Sequence, residues 1–307
     1  MPPVAGPLGL SARLLGLARA ALAAASFFLA AEIALALVPR WVVRRHQGAP
    51  VPLGTSSPVV VLLGDSITAG YGVRRGGGWG SRLDDALVAR GISGVYIENR
   101  AASATSIADQ VEMVSGARRN ATFLAMVGHN DFMRWKDLVN THQPMFDGGL
   151  AERVLRWAPR LVRLGWYFVE DHSAEAALGA PDVTRFRAEM ARLIAQVADR
   201  QGRLALLTYV VPGMPGLSGT PGAPDPKAMV VVHQAQQAIN QLLRSLAWEA
   251  DLPLIDLEAT VPVSAEWTPT EFVDVIHPSA ATHARIAAAV ATDLVDKGLV
   301  DKGLVAP

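Results

Sequence analysis

The sequence has no cysteine among its 307 residues. That excludes disulfides, thiolate-held metals and a cysteine nucleophile. Net charge is missing too, because 28 Lys and Arg balance 28 Asp and Glu. A nucleic-acid partner calls for a basic excess, and this chain has none. The standard glycine signatures are also lacking. A phosphate-binding loop needs GxxxxGK[ST], but Gly64 and Gly70 are too far apart and no Lys follows. A dinucleotide fingerprint needs glycine at its third position, where Ser66 stands. The GxSxG elbow fails because Ile67 and Thr68 follow the serine.

What is present begins with an apolar run. Ala20 to Val38 is apolar except for Ser26 and Glu32, with Arg13 and Arg19 before it and Arg40, Arg44 and Arg45 after it. About 20 apolar residues suffice for a membrane-spanning helix. Residues 1–45 are therefore expected to be a membrane anchor or signal segment. A cleavage site of small-x-small form lies at Ala34-Leu35-Ala36. Glu32 weakens a cleavable segment, which favours a retained anchor. The flanking charges are nearly balanced and do not orient the segment. The expected location is membrane-anchored or secreted, with the rest of the chain outside the cytoplasm. Residues 46–58, rich in Pro, Gly and Ser, read as a linker.

From residue 59 to 307 the pattern is that of one α/β domain. Expected strands are Val59–Leu63, Val95–Ile97, Thr122–Val127, Leu204–Val211 and Leu254–Leu257. Amphipathic helices are expected near residues 79–90, 107–117, 183–200, 227–250 and 279–295. Such alternation implies a parallel sheet covered on both faces, with its chemistry beyond the carboxyl ends of the strands. A long aromatic stretch at 132–182 interrupts the alternation and reads as a helical insert, either a lid or membrane-contacting element or a decoration. The tail repeats LVDKG at Leu294–Gly298 and Leu299–Gly303, expected to extend the last helix or fray.

The strand exits carry polar residues. Ser66 follows the first strand, and a serine is a poor nucleophile until a base takes its proton and a third group orients that base. Asp274 and His277, spaced i, i+3 before a helix, can supply both. The Asn130 amide, in GHND at Gly128–Asp131, suits the oxyanion of a tetrahedral intermediate, helped by the Ser66 N–H and one from the loop after strand two. A metal site at GHND would need further His and carboxylate ligands on other loops. Each residue also has a bland reading: Ser66 as a helix cap, Asn130 as a turn residue, Asp131 as a local hydrogen bonder, His277 as a structural histidine.

Together these blocks, GDSI (Gly64–Ile67), NRAASATS (Asn99–Ser106), GHND and DVIHPS (Asp274–Ser279), resemble the SGNH hydrolases of the GDSL esterase/lipase superfamily. The resemblance spans roughly Val59–Val295 apart from the insert. It implies a flavodoxin-like three-layer α/β/α fold with a five-stranded parallel sheet. It also implies ester hydrolysis through an acyl-enzyme, without metal or cofactor. It makes Ser66 the nucleophile, His277 the base, Asp274 its orienter and Asn130 an oxyanion donor. The family has Asn-x-Gly-x-x-Gly in its second block, whereas this chain has Ala101 and Ala104. The resemblance therefore assigns the backbone N–H of Ala104 to the oxyanion. The expected substrate is a carboxylic ester, glycan-linked or lipid. An acyltransferase with the same site and a catalytically silent membrane-anchored binding module remain as alternatives.

Overall fold

The computed structural model describes residue 26 and residues 57–103, 105–132, 183–214 and 226–300. The apolar run at 20–38 apart from Ser26, almost all of the linker, Ala104 and the insert from 133 to 182 lie outside the described residues. Among the described residues no helix is long and apolar enough to cross a membrane.

The run VVVLLG forms β1 (Val59–Gly64), every residue of which is buried. Valine suits a pleated strand, and burial on both faces explains the absence of a polar alternation. The chain continues through α1 (Ser66–Ala69), α2 (Trp79–Val88), β2 (Tyr96–Asn99), α3 (Ile107–Ser115) and β3 (Thr122–Met126). Beyond the insert come α4 (Val183–Asp199), β4 (Arg203–Leu207), α5 (Pro226–Glu249), β5 (Leu254–Ile255), α6 (Leu257–Thr260) and α7 (Ala280–Asp296). All strand pairs are parallel, in the order β2-β1-β3-β4-β5. This is a doubly wound order whose direction reverses between β1 and β3, and the crevice above that switch point is the usual ligand position. Right-handed crossovers put α2 and α7 on one face and α3, α4 and α5 on the other. The packing agrees, since α2 lies against α7 and α3 against α4.

Several boundaries differ from the expectation by a residue or more, β2 for one running Tyr96–Asn99, and three of the differences have a local reason. The fourth strand ends at Leu207 rather than Val211, because an Asn240 side chain takes the Tyr209 backbone. The fifth ends at Ile255, because Asp256 caps α6. The first LVDKG copy terminates the last helix instead of extending it. Leu299 N–H bonds to Leu294 O and Gly298 N–H to Val295 O, a Schellman closure. The second copy beyond Val300 lies outside the described residues.

Helix α2 opens at Gly78, which has no side chain to cap it. The cap comes from α7: buried His283 accepts the Trp79 N–H at its Nδ1, 3.3 Å away. That ring must be neutral to accept. Burial first, then Arg82 and His277, push its pKa down to about 4. An unfolded histidine titrates near 6.5, so between pH 6.5 and 4 the unfolded chain takes up a proton that the native one refuses. The contribution is therefore fully present above about pH 6.5 and lost as the pH falls toward 4, on the order of 3 kcal/mol in all. Urea titrations at pH 7 and pH 4.5 should show a stability loss that shrinks in His283→Gln. Equal losses in the two proteins would reject this role.

Candidate active site

The site is built at the carboxyl ends of β1 and β3. Gly64 closes β1 and needs to be glycine, since a Cβ there would stand 2.3 Å from the Thr68 hydroxyl. Asp65 then turns the chain into α1. Its side chain caps the helix through the Ile67 N–H at 2.9 Å. The bland reading of Ser66 as that cap is thereby replaced: Asp65 caps, and Ser66 is the first helical residue.

The Ser66 hydroxyl meets the imidazole of His277, Oγ to Nε2, at 2.9 Å. On the other side of the ring, Nδ1 lies 2.7 Å from Asp274 Oδ2. Asp274 Oδ1 is occupied as well, accepting the backbone N–H groups of Ile276 (2.9 Å) and His277 (2.8 Å). Burial opposes ionisation of Asp274, but the bonds from His277 and the Ile276 N–H outweigh it and hold the carboxyl below its ordinary range. A carboxylate, an imidazole and a hydroxyl thus stand in one hydrogen-bonded line. The turn that carries Asp274 and His277 is pinned, with Val273 N–H bonded to His277 O and Trp267 Nε1 to Asp274 O.

Asn130 leaves β3 through Gly128, whose φ of +117° places it where side chains rarely go, tight against Phe186 and Ile239. The Asn130 amide donates to Thr105 O at 3.1 Å. That bond uses one of its two N–H groups and fixes its plane. Asp131 is not the local hydrogen bonder expected: both its oxygens lie within 3.2 Å of the Ile107 N–H, tying the end of β3 to the start of α3. Ala101 has an ordinary backbone, its N–H held by Asn99 Oδ1 at 3.0 Å. Ala104 lies outside the described residues.

The sequence pattern of the GDSL-like lipase/acylhydrolase family matches residues 62–285, most of the chain. The protein belongs to that family. It is a GDSL-type (SGNH) hydrolase acting on ester bonds. No curated protein matches it. Among solved structures, this GDSL hydrolase is similar to the native aryl esterase of M. smegmatis at 13% identity and TM-score 0.49, covering 80% of this chain and 100% of the other. Est24, a carbohydrate acetylesterase from Sinorhizobium meliloti, aligns at 14% identity and TM-score 0.47, over 80% and 100% of the two chains. TesA aligns at 15% identity and TM-score 0.47, over 79% and 99%.

Several residues that shape the GDSL site escape a reading of the sequence. Buried Gln110 grips Gly64 with both ends of its amide, Oε1 to N at 3.0 Å and Nε2 to O at 2.7 Å. The same nitrogen donates to Thr105 Oγ1 at 2.7 Å. Its signal was a polar residue three positions after Ile107, on the face that otherwise buries Val111 and Val114. Tyr209 Oη donates to Asp65 Oδ2 at 2.9 Å and accepts the His129 N–H at 3.2 Å. Burial, then the Asp65 charge, raise its pKa well above the ordinary value and keep it protonated. Tyr71, 54% exposed, lays its ring 4.5 Å from the His277 ring. Val273, also exposed, touches the same loop at Gly72.

Proposed function

We propose that the protein is a serine esterase working through an acyl-enzyme. Ser66 attacks the ester carbonyl while His277 Nε2 takes its proton, and Asp274 holds the ring and balances the imidazolium. The oxyanion is met by the Asn130 amide and by the backbone N–H groups of Ser66 and Ala104. His277 returns the proton to the leaving alcohol, then activates the water that frees the acid. The observation that carries this reading is the unbroken line Asp274–His277–Ser66, with contacts of 2.7 and 2.9 Å.

The substrate we propose is an acyl ester with an apolar portion, such as a lipid ester, rather than a bare O-acetylated sugar. Two features support this. Tyr71 and Val273 give the mouth beside His277 an exposed apolar rim. The sequence also carries the apolar run Ala20–Val38, which we propose as a membrane tether holding the domain outside the cytoplasm. We further propose the division into anchor (1–45), linker (46–58) and hydrolase domain (59–307).

A panel of p-nitrophenyl esters from acetate to palmitate tests the substrate class. Rates are expected to rise beyond acetate as the acyl chain lengthens, and a strict acetate preference would instead favour small O-acyl groups. The full chain and a version lacking residues 1–45, each mixed with lipid vesicles, test the tether. The full chain should sediment with the vesicles, and equal behaviour of the two would reject it.

A further inference from the structure

The mechanism above leaves one wholly buried phenol without a part. Tyr209 sits just past the end of β4, and its backbone is immobilised by one side chain. Its N–H donates to Asn240 Oδ1 at 2.7 Å, and its C=O accepts from Asn240 Nδ2 at 2.8 Å. Asn240 is braced in turn, donating to Glu258 Oε2 at 3.0 Å, and Arg244 binds the same oxygen at 2.7 Å. From this fixed base the hydroxyl spans two strand exits. It donates to Asp65, the residue before Ser66, and accepts from the backbone N–H of His129, the residue before Asn130.

We propose that Tyr209 is a positioning residue, whose hydroxyl holds the nucleophile turn and the oxyanion amide at a set separation. The proposal rests on the reading of Ser66 and Asn130 given above. Every element it joins is on a different strand exit: β1 through Asp65, β3 through His129, β4 through Tyr209 itself. Small errors in such separations are amplified in the rate, because reacting groups must meet within a narrow range of distance and angle. Asp65 also depends on the bond. It is a buried carboxylate that answers to the Ile67 N–H and to this phenol. Were the ring needed for packing alone, phenylalanine would serve equally well.

The test compares the full chain with Tyr209→Phe, Asp65→Asn and the double variant, using steady-state kinetics on a p-nitrophenyl ester and the rate of fluorophosphonate labelling. Measurements are made well below each protein's thermal midpoint. In Tyr209→Phe, kcat should fall about 10- to 100-fold while KM stays within about twofold, with labelling slowed in parallel. Asp65→Asn should show the same split. The double variant should be no slower than Tyr209→Phe, because losing the hydroxyl already removes its bond to residue 65 together with that from the His129 N–H. A folded Tyr209→Phe protein with unchanged kcat overturns the proposal, and so does a raised KM at constant kcat. If the Phe variant does not fold, Asp65→Asn decides by the same comparison of kcat against KM. Ser66→Ala is the control that separates the two claims. Hydrolysis surviving in it rejects the reading of the site, whereas an inactive Ser66→Ala beside a fully active Tyr209→Phe rejects the role of Tyr209 alone.

Discussion

Ser66→Ala and His277→Ala are each expected to lower kcat by at least about 10⁴-fold, and the double variant to lose little more than either single one. The reason is the 2.9 Å contact between Ser66 Oγ and His277 Nε2. Neither group does the chemistry alone: without the imidazole the hydroxyl keeps its proton, and without the hydroxyl the imidazole has no nucleophile to activate. Binding and the oxyanion donors survive both changes, so a small residual rate over water remains. Folding should be little affected, because Ser66 is the first residue of α1 and the cap belongs to Asp65. The check is initial-rate kinetics on an activated ester, with circular dichroism to confirm the fold. Losses that multiply in the double variant would mean that the two residues act separately, and the proposed mechanism would fail.

The second large effect is expected from Asp274→Asn, roughly a 10³- to 10⁴-fold fall in kcat at neutral pH with the fold intact. The turn itself tells which way the new amide will sit. Two backbone N–H groups, from Ile276 and His277, point at the Oδ1 position and will keep an oxygen there. The amide nitrogen is then forced to the Oδ2 position, 2.7 Å from His277 Nδ1. Two facing N–H groups repel, so the ring adopts the tautomer with its proton on Nε2, and that nitrogen can no longer accept from Ser66. Wild-type Asp274 stays ionised because these same bonds hold its pKa below the ordinary value. A fall of less than about tenfold, with the turn intact, would show that His277 is oriented by something else.

How far the sequence reveals this site depends on whether a residue's job is local. The strand Val59–Gly64 announces itself by a β-branched apolar run, and GDS stands at its exit. Asp274 and His277 are three residues apart, so their pairing is a property of one turn. Their meeting with Ser66 crosses 211 residues of chain, and only the alternation of strands and helices hints that the loops converge. Tyr209 is hidden for a physical reason. LALLTYVV reads as one unbroken strand, and nothing in it marks where the ladder stops and a side chain takes over. His283 is hidden likewise, since a histidine on the inner face of α7 looks like filler until the uncapped Gly78 is placed beside it. The apolar segment at 20–38, apart from Ser26, and Ala104 lie outside the described residues.

The grip of Gln110 on Gly64 has a consequence of its own. A carboxamide has the shape of a peptide group, with one donor and one acceptor side by side. At Gly64 the neighbouring strand has already ended, its last partner being Asn99 opposite Leu62. The Ala102 N–H still reaches Gly64 O at 3.2 Å, and the glutamine supplies the acceptor that the Gly64 N–H lacks and a further donor to the oxygen, at the place where the chain turns toward Ser66. A glutamate would offer no donor there, and an asparagine would be a carbon too short. The stiffness of the reactive turn is thus lent by a helix side chain acting as a fragment of strand.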